Sequence, residues 1–237
     1  MSNKDVTLVI TTCNRNDLLE RTLTSFFKFN TYPIEKTIIV DDSGIGNTLD
    51  WNSIKECIIG PYEIIVNETN IGQIGSIDKA YAKVETNYIF HCEEDWEFNC
   101  SGFIEKSFEI LNNNKKVFTV WLRAHNDTKR HRIETEHRFD LAGNDYYYLM
   151  DQNHKGMWCG FTFNPGLRRT KDCMIFHPYD NLKIRNNKEK KGLDIMHESD
   201  LSIYYQELGY RGAITSREEG YVKHIGGKRH IPLPWQK

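Results

Sequence analysis

The sequence predicts an α/β fold: an open, twisted, mostly parallel sheet with flanking helices, joined by a smaller antiparallel part. Three features lead there. Short β-branched runs alternate with amphipathic helical segments between Val6 and Leu122, the strand-helix-strand rhythm of parallel sheets. The first two runs, Val6 to Thr12 and Thr37 to Val40, have the continuous apolar character of strands covered on both faces. Three of the runs stop at polar or charged residues, Thr11 to Arg15, Asp41 to Gly44 and Glu93 to Asp95, which is where open α/β sheets bind ligands.

Val6 to Thr12 reads as the first strand. Asp17 is placed to cap the next helix, which runs to about Phe29 with Leu18, Leu19, Leu23, Phe26 and Phe27 on its inner face. Thr37 to Val40 is the second strand and closes a β-α-β unit. A third strand, Tyr62 to Val66, leads through the polar stretch NETNIGQIGS into a helix near Ser76 to Val84. Tyr88 to Cys92 is an acid-tipped strand. A helix from about Gly102 to Asn112 and a strand at Val117 to Leu122 complete the parallel half, and right-handed crossovers stack these strands into one sheet. Beyond Arg123 the rhythm degrades, with antiparallel alternation mostly around Trp158 to Phe163. Lys183 to Gly192 reads as a charged, Asn-rich loop before a helix at about Asp200 to Leu208. No repeat or linker divides residues 1–237, so one domain is expected.

With 237 residues, 39% hydrophobic and 12% aromatic, the chain can bury a sizeable core. A formal net charge of −2 gives no global reason to bind nucleic acid or an anionic membrane. Any anion must therefore be held locally. No run approaches the roughly 18 to 20 apolar residues of a membrane span. The N-terminal apolar stretch is cut short by Asn14 and Arg15 and lacks a signal-peptide layout, so a soluble cytoplasmic protein with no integral membrane segment is expected. The six cysteines include no CxxC pair, which suggests neither a zinc site nor a disulfide framework.

The segment YIFHCEEDWEF, Tyr88 to Phe98, carries most of the chemistry. Adjacent carboxylates repel and are costly to desolvate, so Glu93, Glu94 and Asp95 need a metal, a basic partner or bulk water. Hard oxygens suit Mg²⁺ or Mn²⁺, which keep some water and take phosphate oxygens from a substrate. The plain alternative is a solvated acidic turn. Phosphate-cradling loops are missing: there is no GxxxxGK[ST], and no GxGxxG after a strand.

VTLVITTCNR, IIVDDSG, NIGQIGSIDKAY, CEEDW and HESDLSIYYQELGYRGA fall in this order along nearly the whole chain. The ordered set resembles GT-A fold glycosyltransferases, especially those similar to family 2. That resemblance implies a nucleotide-diphosphate-sugar donor, a divalent metal at a DxD-like site and an acidic general base. It further implies a nucleotide-binding half at 1–122 and an acceptor and base half at 123–237. The expected partners are a nucleotide-sugar donor and a carbohydrate or glycoconjugate acceptor, with a homo-oligomer left open.

Carried over position by position, the resemblance puts Thr11, Thr12, Asn14 and Arg15 along the base and ribose, with Asp41 or Asp42 hydrogen-bonded to the base. Without it, Asp41 to Gly44 could be an Asx-type turn and Arg15 the partner in a salt bridge. Asn70 and Gln73 lie where relatives place an N-x-G segment beside the nucleotide and its sugar, while Gly75 reads as an ordinary turn glycine. Glu93 stands where the first Asp of DxD is expected, so Asp95 is the firmer metal ligand. Glu94 points away from the metal, as alternate strand-end residues do, and is placed with the nucleotide-binding group. His224, before Gly226 and Gly227, fits a further metal ligand, since imidazole with carboxylate suits Mn²⁺. Lys228 and Arg229 could close over the leaving diphosphate. Trp158 and Gly160 lie where an aromatic loop stacks on a sugar, and Tyr146, Tyr147 and Tyr148 could form an acceptor platform.

Glu198 and Asp200 are the candidate bases, with Glu198 preferred because Asp200 aligns with the later acid of the motif. Either could instead be a first-turn acid that favours the helix dipole. A single displacement at the anomeric carbon would invert configuration. Two rivals stand beside this reading: a sugar-phosphate nucleotidyltransferase, whose Gly-rich loop is absent, and a catalytically idle carbohydrate-binding protein, which the Glu93 substitution would suit.

Overall fold

A computed structural model describes residues 5–45, 49–129, 131–152, 160–184, 196–227 and 229. Its main sheet has the strand order β3-β2-β1-β4-β9. β1 (Val6–Thr12), β2 (Lys36–Asp41), β3 (Tyr62–Val66) and β4 (Tyr88–Glu93) run parallel, and β9 (Gly166–Arg169) closes one edge antiparallel to β4. Every residue of β1 is buried, as its unbroken apolar run requires of a strand covered on both faces. α1 (Asn16–Phe29) and α4 (Phe103–Asn113) cover one face, where Phe26 meets Phe98 edge-on at 5.1 Å and Phe90 at 5.4 Å. α3 (Gly72–Tyr81) and α6 (Glu198–Glu207) pack into a second core with Phe118, Phe161, Phe163 and Tyr179. A short α2 (Trp51–Glu56), capped by Asp50, and a single turn, α5 (Thr170–Cys173), were not visible in the sequence pattern.

Several expectations are corrected. The Val117 to Leu122 run does not extend the parallel sheet: β6 (Val117–Trp121) joins a second sheet of order β6-β10-β8-β7, with β7 (Phe139–Asp140), β8 (Tyr146–Leu149) and β10 (Arg211–Thr215). β6 and β10 are parallel and β8 antiparallel to β10. No strand forms at residues 160–163, and residues 153–159 lie outside the described residues. Tyr147 is fully buried and stacks on Phe139 at 5.2 Å, so it belongs to the core rather than to an acceptor platform. Asp17 does not cap α1; Arg15 is the N-cap residue, without a side-chain cap, and Asp17 pairs with Arg229. Among the described residues, no helix is long and apolar enough to cross a membrane.

The register sets up the site. Thr11 is paired with both Val40 and Glu93, and Thr12 with Asp41, so three strands end within one residue of each other. A two-stranded ribbon, β5 (Trp96–Phe98) with β11 (Val222–His224), then crosses beside that edge. Its register pairs His224 with Trp96 and so brings His224 next to Asp95.

Candidate active site

β1 hands over to α1 through Asn14, whose φ of 53° falls in the left-handed region that Asn tolerates. The turn aims Arg15 at the end of β4. Its Nε donates to Glu94 Oε1 at 2.8 Å and its Nη1 to Asp95 Oδ2 at 2.9 Å. Glu94 is buried and also accepts the Cys13 N–H at 3.1 Å. Burial raises its pKa above the usual glutamate range, against the pull of Arg15.

Asp95 is the member of the group whose pKa is lowered. Burial works to raise its pKa, but the hydrogen bond from His224 and the charges of Arg15 and His224 outweigh it and hold it below the usual value. His224 Nε2 lies 3.2 Å from Asp95 Oδ2. The backbone at Gly226 passes so near that a Cβ there would strike the same oxygen. Thr22 fixes the turn from below, donating to Glu94 O at 2.6 Å and accepting the Trp96 N–H at 3.2 Å.

Glu93 faces differently. Gln73 Nε2 donates to its Oε1 at 2.6 Å, and its pKa stands well above the usual value through desolvation and then the charges of Asp95, Glu198 and Glu94. Of the expected metal set, Asp95 and His224 face each other while Glu93 is bonded to Gln73. Among the described residues, no group of three or more His, Cys, Asp or Glu side chains is placed to hold a metal ion. Asp95 and His224 remain as a facing pair. A hard cation that keeps water and takes diphosphate oxygens needs only one or two protein carboxylates, and an added imidazole suits Mn²⁺, so this pair fits such an ion.

Glu198 opens α6, and its Oε1 accepts from the Phe163 N–H and from Thr162 Oγ1, the latter at 3.4 Å. Burial raises its pKa, opposed by the Phe163 bond and then by the charge of Arg168. Phe163 lies three residues before Gly166, which pairs with His91 of β4, so the Phe163 bond brings the α6 carboxylate toward the β4 edge. Asp200 is not beside it in role: fully buried, it accepts the His197 N–H at 3.1 Å and caps its own helix.

The remaining candidates divide. Thr12 Oγ1 and Asn70 Oδ1 are buried without a hydrogen-bond partner among the described residues, while Asn70 Nδ2 donates to the Asp42 carbonyl at 2.9 Å. Thr11 is buried in β1. Asp41 accepts from Ser43 N–H at 3.0 Å and from the Ser43 hydroxyl, the Asx-type turn the sequence left open. The Asp42 carboxylate accepts from Asn67, Ile71 N–H and Gly72 N–H, each at 2.8 Å. It serves as the cap of α3. Gly160 is a packing position, with φ 84° and a carbonyl that accepts the Trp121 Nε1–H at 2.7 Å; a Cβ there would lie 2.7 Å from that of Met150. Arg229 makes a bidentate pair with Asp17 at 2.7 and 2.9 Å, and its carbonyl accepts from Arg15. Trp158 and Lys228 lie outside the described residues.

Sequence reasoning missed two buried arginines. The Arg123 guanidinium lies over the Trp96 ring at 4.9 Å and pairs with Asp127 at 2.9 Å, and Arg168 is fully buried behind the Glu198 turn. The available signal was an arginine closing an apolar run: Arg123 after Val117 to Leu122, and Arg168 in the adjacent pair that ends FTFNPGLRR. A cleft of about 500 Å³ opens beside His224, lined by Asn99, Asn126, Asp127, Glu219 and Lys223.

Residues 7–173 match the model of the family described as Glycosyl transferase family 2. No curated protein matches the chain. Among solved structures, S. aureus TarS 1-349 is similar with a TM-score of 0.60 and 15% identity, over 93% of this chain and 60% of that one. The same protein in complex with UDP gives a TM-score of 0.57 and 15% identity, over 92% and 59%. The mannosyltransferase PcManGT from Pyrobaculum calidifontis, in complex with GDP-Man and Mn2+, gives only 0.43 and 16% identity, over 52% and 36%. At such identity the TarS likeness shows the fold, which is GT-A. This chain spans about 60% of the length of that TarS structure.

Proposed function

The chain belongs to glycosyl transferase family 2, and on that footing we propose that it moves a sugar from a nucleotide-diphosphate donor, a UDP-sugar by preference, to a hydroxyl of a carbohydrate or glycoconjugate acceptor, with inversion. The observation that carries this reading is a division of labour between carboxylates at the end of β4. Asp95 is held ionised by Arg15 and His224, whereas Glu198 arrives from the other half of the chain with a raised pKa. Acids whose surroundings push their pKa values apart are suited to different roles.

In this reading Glu198, not Asp200, takes the proton of the acceptor hydroxyl, because Asp200 is spent on capping α6. A base near its operating pH is the effective one, and burial moves Glu198 in that direction. The unpartnered Thr12 Oγ1 and Asn70 Oδ1 are free to bond the nucleotide. Asp95 and His224 would hold Mn²⁺, or Mg²⁺, which when bound supplies positive charge to the diphosphate as it leaves. The cleft beside His224, with carboxylates and amides to bond hydroxyls, is offered to the acceptor.

The test compares donor turnover of wild type and Glu198→Gln across UDP-, GDP- and dTDP-sugars with Mn²⁺ present. Loss of a general base predicts a fall of roughly 10²- to 10⁴-fold with UDP binding retained. Equal turnover in both proteins, or none by wild type on any donor, would refute the proposal.

A further inference from the structure

β9 ends in two adjacent arginines, both buried, and only one has a carboxylate. Arg169 pairs with Asp172 at 2.8 Å and donates to the carbonyls of Val117 at 3.0 Å and Asn114 at 3.2 Å. It ties α4 and β6 to β9, and its charge is matched. Arg168, with no exposed surface, makes no ion pair among the described residues. A buried cation without a counter-ion is costly, so its surroundings must compensate.

They do so in one direction. Arg168 Nη1 donates to the Tyr81 hydroxyl at 3.0 Å, and Nη2 donates to the carbonyls of Thr162 and Asn164, the latter at 3.2 Å. The guanidinium also lies 5.4 Å from the centre of the Phe163 ring, within cation–π range. Its neighbour His91 is kept neutral by burial and then by Arg168 itself, which leaves Arg168 as the charged member of that pair. Two of its hydrogen bonds thus land on residues 162–164, the turn whose Phe163 N–H and Thr162 hydroxyl hold Glu198.

We infer that Arg168 is a positioning residue: it fixes the Thr162 to Asn164 turn, and through that turn it sets the direction of the Glu198 carboxylate while placing positive charge behind it. The inference rests on the reading of Glu198 as base, but the positioning is measurable on its own. Arg168→Lys keeps the charge, yet a single ammonium cannot reproduce a planar fork that spans a hydroxyl and two carbonyls. Tyr81→Phe removes the hydroxyl that accepts from Nη1 and that also meets His91 Nδ1 at 3.2 Å.

The readout is the Phe163 amide in ¹H–¹⁵N spectra, identified by its displacement in Glu198→Gln. In Arg168→Lys it is expected to move at least halfway toward its Glu198→Gln position, and in Tyr81→Phe by less in the same direction. Affinity for UDP should change less than about twofold while kcat falls roughly ten- to a hundredfold, as small misplacements of a reacting group do. A Phe163 amide unmoved in folded Arg168→Lys overturns the inference, and Tyr81→Phe decides in the same way if the lysine variant does not fold. Displacement without loss of turnover upholds the positioning and removes Glu198 as the base.

Discussion

At the scale of single residues, the acidic triplet shows how one strand end gives three carboxylates three fates. Glu94 is taken by Arg15 and Cys13, Asp95 by Arg15 and His224, and Glu93 only by the Gln73 amide. Glu93 is therefore the acid that pays least of its desolvation through cationic partners, which sets a sign for its pH dependence. Its folded pKa lies well above its ordinary value near 4.5. The folded chain thus binds this proton more tightly than the unfolded chain, and the stabilisation is present at low pH and lost as pH rises through the folded value. Glu93→Gln keeps an oxygen to accept from Gln73 and carries no charge. In metal-free buffer the variant should melt above wild type at neutral pH, and the two should converge as pH falls toward 4.5. Removing this charge also changes the field at Asp95, Glu198 and Glu94, whose charges act on Glu93, so the difference in Tm reports the acidic group as a whole, and a difference that stays constant with pH would contradict the account. The sequence disclosed that these acids need partners; it could not assign the partners, because Arg15, Gln73 and His224 are far apart in the chain and meet only once the sheet edge and the ribbon are built.

At the scale of elements, legibility followed the kind of contact. β1, β2 and β4 were readable because parallel strands covered on both faces leave an apolar run, and β3, a partly exposed edge strand, from its short β-prone segment. The ribbon of β5 and β11 was not, since each strand has three residues and pairs across more than a hundred positions of sequence. β6 was recognised as a strand but assigned to the wrong sheet, because its neighbour β10 lies beyond α6 and no local pattern encodes that pairing. The Asp42 knot is another case: as text, VDDSG is a strand end with spare acids, whereas in the fold Asp42 joins the end of β2 to the start of α3. Asp42→Ala would leave the Ile71 and Gly72 N–H groups and the Asn67 amide without their acceptor. Loss of a cap and of charge-assisted bonds predicts a cost of about 2–3 kcal/mol, or a fall in Tm of roughly 5–10 °C for a chain of this size. Thermal melting measures it, and a variant within about a degree of wild type would show that α3 is capped some other way.

At the scale of the whole molecule, a formal net charge of −2 conceals a local excess of negative charge. Glu93, Glu94, Asp95 and Glu198 gather at one edge of the sheet, and Arg15 is the cation bonded directly to two of them. Such an edge is ordered by the fold at a cost that a divalent cation can relieve, and a ligand that binds only the folded state raises stability by mass action. At about a hundred times its Kd, Mn²⁺ should contribute roughly 2.7 kcal/mol, equivalent to about 5–10 °C in Tm at this chain length. The donors decide which variants lose that shift. Asp95→Asn and His224→Ala should abolish most of it, while Glu93→Gln should keep it, because Glu93 is turned to Gln73 and is not gathered with the other two. UDP added with Mn²⁺ should raise Tm further in wild type, since phosphate oxygens complete the coordination of a cation held by few protein ligands. A full Mn²⁺ shift in Asp95→Asn would place the ion elsewhere and leave the Asp95 and His224 pair as a purely structural bond between β11 and the end of β4.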